Sequence, residues 1–551
     1  MELSPSAHTD TFCRDNLPPA SQWPELRFDL AGLSYPDRLN CAEALLDDVV
    51  ARFGPDRPCL RTPTETWTYG DLLRRANQAA QVLVEDFGLV PGNRVLLRGP
   101  NNPWLIASWF AVLKAGGVAV TTMALLRAGE ISALAGITRP SLAITDHRFA
   151  AELAAADLGI PVILYGGGDD DLASRCAGTR DRFTAVATAA DDVALLAPTS
   201  GTTGKPKATM HFHRDVLAIQ DTFGAHVLTA SADDVFLGTP PVGFTFGLGG
   251  LVVFPFSIGA STLLLERATP GELAQAIADH GVTVLFTAPT MYRALLTAGH
   301  SGLLGSLRRC VSAGEHLPRA VWEDFHRATG VRIIDGIGAT EMLHIFISAA
   351  GEAIRPGATG LAVPGYEAAV LGEDGKPVPD GEPGSLAVKG PTGCRYLADE
   401  RQRAYVRDGW NLTGDTYIRD ADGYYWYQAR SDDMIITSGY NIAGPEVEQA
   451  LLGHPDVVET GVVAAPDPER GTIVKAYVVL RDGAEGGPAK AAELQAFAKQ
   501  AIAPYKYPRE VEFVAALPRT ATGKIQRYRL RQFAAAAGGR PDQAAQAPGG
   551  G

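Results

Sequence analysis

Short runs of apolar, β-favouring residues alternate with longer stretches of helical periodicity along most of the chain. The apolar runs predict buried strands at Val95–Arg98, Gly117–Val120, Leu142–Thr145, Val162–Tyr165, Val282–Thr287 and Val331–Ile334. The periodic stretches between them predict helices at Trp104–Ala115, Glu130–Ala135, Gly271–His280 and Ala320–Ala328. Strands and helices that alternate at this spacing favour an α/β fold, with parallel-rich sheets flanked by helices.

The pattern changes twice towards the C-terminus. Residues 351–393 are short apolar runs between Gly and Pro turns, which predict a small β-rich subdomain. Beyond Arg430 we predict a compact α+β module with elements at Gly444–Gly453, Val457–Ala465, Lys475–Leu480, Ala491–Ala503 and Val511–Phe513. We therefore expect a large N-terminal domain (1–429), a small C-terminal domain (430–533) and a disordered Ala/Gly/Pro tail (534–551).

One long uncharged segment, Val235–Leu265, has the length of a membrane span. It contains three prolines and six glycines, and a lipid-exposed helix cannot satisfy its backbone with so many breaks. The segment is interpreted as a buried strand, a tight turn and a packed helix, so no membrane span is expected.

Composition narrows the class of protein. The 551 residues, 46% hydrophobic and 20% charged, indicate a globular chain of several domain-sized units. A net charge of −13 argues against nucleic-acid binding, which usually needs a basic surface. Six widely spaced cysteines without a C-x-x-C pair favour free thiols in a reducing compartment. The first residues show no signal peptide, and we expect a cytoplasmic protein.

The densest group of candidate ligand-binding residues lies in Pro198–Met210, with the sequence P-T-S-G-T-T-G-K-P-K-A-T-M. Glycines allow backbone N–H groups to turn towards a ligand, hydroxyls add donors and lysines add positive charge, a combination typical of a phosphate site. The segment is not a Walker A loop. The candidate phosphate-binding residues are Thr199, Ser200, Gly201, Thr202, Thr203, Gly204 and Lys207.

This segment resembles the signature of the adenylate-forming enzymes, a family of acyl-CoA synthetases, adenylation domains and firefly-type luciferases. Further motifs of that family follow in the expected order and extend the resemblance over about residues 40–530. They are Ser312–Glu315, Asp335–Glu341, Thr413–Asp415, Arg430–Asp433 and Pro518–Lys524.

The resemblance implies a reaction in which a carboxylate attacks the α-phosphate of ATP and pyrophosphate leaves. It assigns Glu341 to Mg²⁺, which favours carboxylate and phosphate oxygens, and Thr340 to the α-phosphate. It places Gly314, Asp335, Gly336 and Ile337 around the adenine. Asp415, an acceptor suited to a vicinal diol, and Arg430 would contact the ribose.

The same resemblance implies a second half-reaction with coenzyme A. Lys524 would bridge the carboxylate and the α-phosphate during adenylation. The C-terminal domain would then rotate about a hinge near Asp432, and Ser438, Gly439 and Tyr440 would line the pantetheine tunnel.

The candidate acid pocket resembles that of the benzoate–CoA ligase branch. Phe244 stands where many relatives carry a histidine, which favours a flat or apolar acid, and Thr245 and Phe246 follow it. In the stretch from Gly338 to Phe346, the positions of His344 and Ile345 face the aromatic acid in that branch. The opening Thr11–Pro19 and Lys207–His213 resemble members that activate 2-aminobenzoate, whose amino group would need an acceptor such as Thr245 or His344.

These patterns together predict an ATP- and Mg²⁺-dependent aromatic acid–CoA ligase, with 2-aminobenzoate as the expected acid and benzoate or a hydroxybenzoate as alternatives. A stand-alone aryl-adenylating enzyme that loads a separate carrier protein is a second alternative. A nucleotide-binding regulator without turnover is a third, against which the intact Lys524, Glu341 and Asp415 argue. The expected partners are small molecules, and the expected state is a monomer or homodimer.

Overall fold

The computed structural model describes residues 3–200, 206–430, 433–437, 440–467, 471–502, 506–519 and 525–536. The chain divides into two compact units. The first unit comprises residues 1–368 and 387–413, and the second comprises residues 369–386 and 414–551.

A six-stranded sheet lies in the first half of the first unit. Its strands, in spatial order, are Val162–Tyr165, Leu142–Asp146, Arg94–Gly99, Val118–Met123, Val193–Ser200 and Pro206–Phe212. The first five are parallel, and the last is antiparallel to its neighbour. The four strands predicted between residues 95 and 165 are confirmed, with bounds that differ by at most three residues.

The second large sheet of the first unit has nine strands. Its strands, in spatial order, are Leu361–Ala362, Ile345–Ser348, Ile333–Gly338, Arg309–Ser312, Val284–Thr287, Val235–Gly238, Ser261–Leu263, Pro58–Arg61 and Thr66–Thr68. The six strands from Ile333–Gly338 to Pro58–Arg61 are parallel, and the others are antiparallel to their neighbours. Buried Leu237, Leu285, Tyr292 and Phe325 belong to the core packed against this sheet.

Helices flank these sheets and begin where local capping allows it. Thr269 and Glu272 form a capping box around the first turn of the helix that begins at Pro270, and the Asn102 side chain accepts a hydrogen bond from the Leu105 amide. The α-helices are Phe12–Asp15, Asp48–Phe53, Tyr69–Gln81, Pro103–Lys114, Ala128–Thr138, Ala150–Ala156, Leu172–Cys176, His213–Ile219, Thr245–Leu248, Phe254–Ser257, Pro270–His280, Pro289–Thr297, Arg319–Thr329 and Gln402–Tyr405. Short 3₁₀ turns lie at Ala20–Gln22, His147–Phe149, Ser301–Leu303, Thr340–Met342 and Gly351–Ala353, and π-helical segments at Glu43–Asp47, Val82–Asp86, Gln220–Leu228 and Gly249–Val253.

The uncharged segment 235–265 is confirmed as a strand, a turn and a packed helix. The helix runs from Thr245 to Ser257, with a π-helical segment in its middle, and a second strand that the pattern did not predict, Ser261–Leu263, follows it. Most of its apolar side chains are buried in the first unit, and Phe244, Phe246, Ile258 and Leu265 are half-buried. Among the described residues, no helix is long and apolar enough to cross a bilayer.

The predicted β-rich stretch contains the strands Leu361–Ala362, Glu367–Leu371 and Pro383–Lys389. Further β structure follows it. In the first unit, Val406–Arg407 pairs antiparallel with Trp410 and Asn411. In the second unit, Asp415–Arg419 pairs antiparallel with Tyr425–Arg430.

The C-terminal part of the second unit is an α+β module. Two strands, Met434–Thr437 and Tyr440–Ala443, form a hairpin. A three-stranded sheet of Val457–Asp467, Gly471–Leu480 and Glu510–Phe513 packs with the helices Gly444–Leu452, Pro488–Ala501 and Arg527–Ala535. The predicted elements between residues 444 and 513 are confirmed, and the predicted α/β class holds for the chain.

Candidate active site

Two antiparallel strands present the candidate phosphate-binding segment. Thr199 at the end of one strand lies opposite Lys207 on the next. Thr199 and Lys207 are both half-buried. The predicted residues Gly201, Thr202, Thr203 and Gly204 and the side chain of Ser200 lie outside the described part of the structure.

Lys207 and Glu341 meet in the first unit, although 133 residues separate them along the chain. The Lys207 Nζ lies 2.9 Å from Glu341 Oε1. The hydroxyl of Tyr396 joins both groups, because it accepts a hydrogen bond from Lys207 and donates one to Glu341. Lys207 also lies over the Tyr396 ring, 4.1 Å from its centre. The sequence reasoning did not identify Tyr396.

Glu341 is held in its ionised form. Burial alone would raise the pKa of this carboxyl, but the Lys207 charge and the Tyr396 hydrogen bond lower it below its usual range. Burial and the neighbouring Glu341 charge raise the pKa of Tyr396, so the tyrosine stays a donor. The arrangement is therefore a buried carboxylate with one cationic and one neutral donor.

The turn that carries Thr340 and Glu341 is held in place by a series of buried polar side chains. His211 Nε2 donates to the Thr340 carbonyl over 2.8 Å, and burial lowers the pKa of His211 to about 4. Asp215, 3.9 Å from His211 Nδ1, pairs with the buried Arg395. Leu343 follows the turn at φ 68°, a backbone conformation that non-glycine residues rarely adopt.

The predicted adenine-contacting residues gather at the carboxyl ends of neighbouring strands. Ser312 pairs with Asp335, which places Gly314 beside the Asp335–Ile337 segment. Burial raises the pKa of the Asp335 carboxyl to about 8. Gly336 leaves no room for a larger residue, because a Cβ there would lie 2.7 Å from Ile345 Cγ2.

His344 lies in an aromatic box in the first unit. Four phenylalanine rings surround the imidazole, at centroid distances of 5.5, 5.6, 4.7 and 6.4 Å for Phe223, Phe246, Phe254 and Phe286. His344 is 2% exposed, and neither ring nitrogen makes a hydrogen bond of normal geometry among the described residues, although a weak interaction with the Phe246 backbone opposes the effect of burial on its pKa. Burial lowers its pKa to about 3, so the ring is a neutral imidazole.

The box is completed by the segment that contains Phe244, Thr245 and Phe246, all half-buried. Asn101 fixes the loop in front of it, because its side chain donates to the Pro240 carbonyl and accepts from the Val242 amide. Two other predicted pocket residues lie beside His344 along the backbone. A Cβ on Gly338 would lie 2.8 Å from the His344 carbonyl, whereas the side chain of Ile345 lies against Gly336 in the predicted adenine segment and not in the aromatic box.

The second unit contains the predicted ribose contacts. Asp415 and Arg430 face each other across an antiparallel pair, with Arg430 Nη1 3.6 Å from Asp415 Oδ1. Tyr440 lies in the strand Tyr440–Ala443, but its side chain is not described. The predicted residues Lys524, Ser438 and Gly439 and the hinge residue Asp432 fall outside the described ranges.

One other cluster in the second unit has the residue types of a metal site: His454, Asp456 and Glu493. Its carboxylates are already paired with cations. Lys490 Nζ lies 2.8 Å from Asp456 and 2.6 Å from Glu493, and Arg481 lies 2.7 Å from Asp456. The cluster is therefore an ion-pair network.

Several residues of these clusters carried no usable signal in the sequence. Phe223, Phe254 and Phe286 lie on three separate elements, and Tyr396 lies on a loop. None of them belongs to a short motif with the residue that it contacts. A pattern of apolar positions predicts that such rings are buried, but not which polar side chain they enclose.

Known proteins show the same organisation over most of the chain. The model of the AMP-binding enzyme family matches residues 46–396, and that of the AMP-binding enzyme C-terminal domain matches residues 446–524. The benzoate–CoA ligase of Thauera aromatica is 34% identical over 511 residues, which are 91% of this chain and 97% of the relative. The 4-hydroxybenzoate–CoA/benzoate–CoA ligase of Rhodopseudomonas palustris is 33% identical over 90% of this chain and 94% of its own length.

A solved structure supports the same relationship. The crystal structure of the anthranilate CoA ligase AuaEII in complex with anthranoyl-AMP matches with a TM-score of 0.87 and 34% identity, covering 91% of this chain and 98% of that one. The sequence motifs, the two matched models and the shared fold agree. The chain belongs to the AMP-binding enzyme family.

Proposed function

We propose that this acid–thiol ligase activates an aromatic carboxylic acid with ATP and transfers the acyl group to coenzyme A, with 2-aminobenzoate as its acid. In the first step a carboxylate oxygen forms a bond to the α-phosphorus of ATP, and the bond to pyrophosphate breaks. In the second step the thiolate sulfur of coenzyme A bonds to the acyl carbon, and AMP leaves with the former carboxylate oxygen.

The aromatic box around His344 is the observation that carries the choice of acid. Four phenylalanine rings form an apolar environment suited to a flat ring, and aromatic pairs prefer the offset and edge-on contacts that such walls offer. The neutral imidazole supplies one polar group without a partner among the described side chains. An ortho-amino group on the acid is a natural donor to it.

The cluster around Glu341 supports the nucleotide-binding role. A bound Mg²⁺ would neutralise phosphate charge and polarise the phosphorus–oxygen bonds. The ionised Glu341 is a suitable ligand for it, because magnesium usually binds one or two carboxylates together with phosphate oxygens. Lys207 is the local cation for a phosphate, and Thr340 lies on the same turn as Glu341.

The remaining roles are proposed on the family resemblance. Phosphate contacts are assigned to the segment from Thr199 to Gly204, adenine contacts to Gly314 and Asp335–Ile337, and ribose contacts to Asp415 and Arg430. Lys524 acts in adenylation, and Ser438, Gly439 and Tyr440 contact the pantetheine. We further propose a C-terminal domain that begins at residue 430 with its hinge at Asp432, a cytoplasmic location, and a monomer or homodimer.

The proposal is tested by AMP release from ATP with a panel of acids, each with and without coenzyme A. The panel contains benzoate, 2-aminobenzoate, 4-hydroxybenzoate, salicylate, cinnamate and octanoate. We expect turnover that depends on coenzyme A and is highest with 2-aminobenzoate. Octanoate as the best acid would contradict the aromatic pocket.

Two alternatives predict other outcomes of the same assay. The relatives named for benzoate and 4-hydroxybenzoate are about as similar to this chain as the anthranilate ligase. Maximum activity with benzoate or 4-hydroxybenzoate would retain the ligase chemistry and replace 2-aminobenzoate. Pyrophosphate exchange without turnover on coenzyme A would indicate a carrier protein as the acceptor.

A further inference from the structure

Tyr396 connects the two charged groups of the proposed nucleotide site, although no motif includes it. Its hydroxyl accepts from the Lys207 ammonium and donates to the Glu341 carboxylate, while Lys207 and Glu341 also pair directly. The three groups form a closed triangle. Lys207 and Glu341 side chains are only 14% and 10% exposed, so water cannot readily replace a lost partner.

The backbone explains why Tyr396 occupies this place. The Met210 amide donates to the Arg395 carbonyl over 2.7 Å, and the Leu397 amide donates to the Ala208 carbonyl over 2.9 Å. Tyr396 is therefore paired with the middle of the same strand, Pro206–Phe212, that carries Lys207 at its start. His211, on the same strand, holds the Thr340 carbonyl. One strand thus sets the positions of all three members of the triangle.

The triangle has a consequence for nucleotide binding. A phosphate that takes Lys207 as its partner removes the cation from Glu341. The tyrosine hydroxyl keeps a hydrogen bond to the carboxylate when this happens, and charge-assisted hydrogen bonds of this kind are strong and directional. The Tyr396 ring, 4.1 Å from Lys207 Nζ, keeps the lysine nearby.

We propose that Tyr396 is a positioning residue of the nucleotide site, which orients the Glu341 carboxylate for a divalent cation while Lys207 turns to a phosphate. The inference rests on the proposed assignment of Glu341 to the metal. It predicts that Tyr396 contributes to the coupling between Mg²⁺ and ATP more than to the binding of ATP alone.

The test is the dissociation constant of ATP, measured by titration calorimetry on the full chain without any acid, in the presence and absence of Mg²⁺. In Tyr396→Phe we expect the Mg²⁺-induced gain in ATP affinity to fall about tenfold, the scale of one hydrogen bond to a charged group. ATP affinity without Mg²⁺ should change less than about twofold. Tyr69→Phe is the matched control, because it removes one buried hydroxyl that donates to the Ala260 carbonyl over 2.7 Å.

Two further variants separate this inference from the function on which it rests. Glu341→Gln should abolish most of the Mg²⁺-induced gain, and adding Tyr396→Phe to it should have no further effect. An unchanged gain in Tyr396→Phe, together with a lost gain in Glu341→Gln, would overturn the role of Tyr396 and leave the metal assignment intact. A full gain in Glu341→Gln would overturn the metal assignment, and the inference with it.

A urea titration guards against a purely structural effect. Tyr396→Phe and Tyr69→Phe each remove the hydroxyl of a buried tyrosine, and we expect similar small decreases in their free energies of unfolding. An equal loss of Mg²⁺ coupling in both variants would show that the effect is general destabilisation, and would contradict the proposal.

Discussion

His344 combines two properties that rarely occur together in a buried side chain. It is enclosed by phenylalanine rings, and among the residues that the structure describes its nitrogens make no hydrogen bond of normal geometry, only a weak interaction with the Phe246 backbone. A neutral imidazole has one donor and one acceptor, and leaving a buried polar group unpaired costs about 1–3 kcal/mol. A ligand that pairs with the imidazole would recover part of this energy, and on this basis we propose His344 as a specificity-determining residue.

Replacing His344 with phenylalanine should change the choice between acids. His344→Phe fills the aromatic box but removes the polar atoms, so kcat/KM for 2-aminobenzoate should fall relative to benzoate by about tenfold, the value of one hydrogen bond. Steady-state kinetics on both acids measure the ratio. Thr245→Val is the parallel variant, because Thr245 is the other candidate acceptor. Equal losses on both acids in both variants would contradict a polar contact to the ortho group.

The stability of the protein should also report the neutral state of His344. Its pKa is about 3 in the folded chain, against an ordinary value of 6.5. Below pH 6.5 the unfolded chain therefore takes up a proton that the folded chain does not. This proton uptake favours the unfolded chain, so the free energy of unfolding decreases as the pH falls. The unfolding free energy of the wild type, relative to His344→Phe, should decrease by up to about 1.4 kcal/mol per pH unit between pH 6 and 4. Urea titrations at several pH values would show it, and a constant difference would contradict it.

The sequence predicts individual site residues where a local motif carries them. Lys207, Glu341 and His344 all lie in motifs that share the family's spacing, and the structure pairs Lys207 with Glu341. Tyr396 was not predictable, because it is 189 residues from Lys207 and its role depends on strand pairing. The phenylalanine walls were predictable as buried residues only, since the box forms from separate elements.

Among the elements, the helix from Thr245 to Ser257 packs closely against His344 of the proposed pocket. It contains a π-helical segment, Gly249–Val253, a feature that is frequent at functional sites. A Cβ on Gly249 would lie 2.3 Å from His344 Cδ2. The glycine is thus required by the position of the imidazole.

A single methyl group at Gly249 should therefore have a large effect. We expect Gly249→Ala to destabilise the protein by about 1–3 kcal/mol through overpacking, and to raise the KM for the aromatic acid more than the KM for ATP. Gly136→Ala is the control, because a Cβ there has no neighbour within 4 Å. Because Gly136 lies in a helix, the Gly136→Ala variant should be more stable than the wild type by about 0.5–1 kcal/mol. Similar behaviour of the two variants in urea titrations and kinetics would contradict the packing argument.

Periodicity predicted the regular elements better than the irregular ones. The capping box of the helix Pro270–His280 is visible in the sequence as Thr269 and Glu272. This helix begins within one residue of its predicted start. The π-helical segments were missed, because one extra residue per turn leaves little trace in a pattern of apolar positions. The strand Ser261–Leu263 was also missed, since its three residues are too few to show an alternation.

The chain as a whole divides into two units, and the proposed roles are distributed between them. Lys207, Glu341 and His344 belong to the first unit, whereas Asp415 and Arg430 belong to the second. The fold class and the order of most elements followed from the sequence, because strands and helices alternate with clear periods. The assignment of residues 369–386 to the second unit did not follow from the sequence. The pattern of apolar positions does not change where the strands Glu367–Leu371 and Pro383–Lys389 pass from one unit to the other.

The two half-reactions should respond differently to a change at Lys524. If Lys524 is a transition-state donor for adenylation only, the variant Lys524→Ala should reduce the rate of adenylation by about 10²–10³-fold. Thioester formation from a supplied acyl-adenylate should be largely retained. Pyrophosphate exchange measures the first half-reaction, and release of AMP from synthetic acyl-adenylate with coenzyme A measures the second. Equal losses in both assays would contradict this assignment.

The most direct test of the whole account follows the carboxylate oxygen. If the acid attacks the α-phosphorus of ATP and the thiol then displaces AMP, one oxygen of the acid ends in AMP. Turnover of 2-aminobenzoate labelled with ¹⁸O in both carboxylate positions, with ATP and coenzyme A, should yield AMP that carries one ¹⁸O, as detected by mass spectrometry. AMP without label, formed together with the aryl thioester, would contradict activation through an acyl-adenylate.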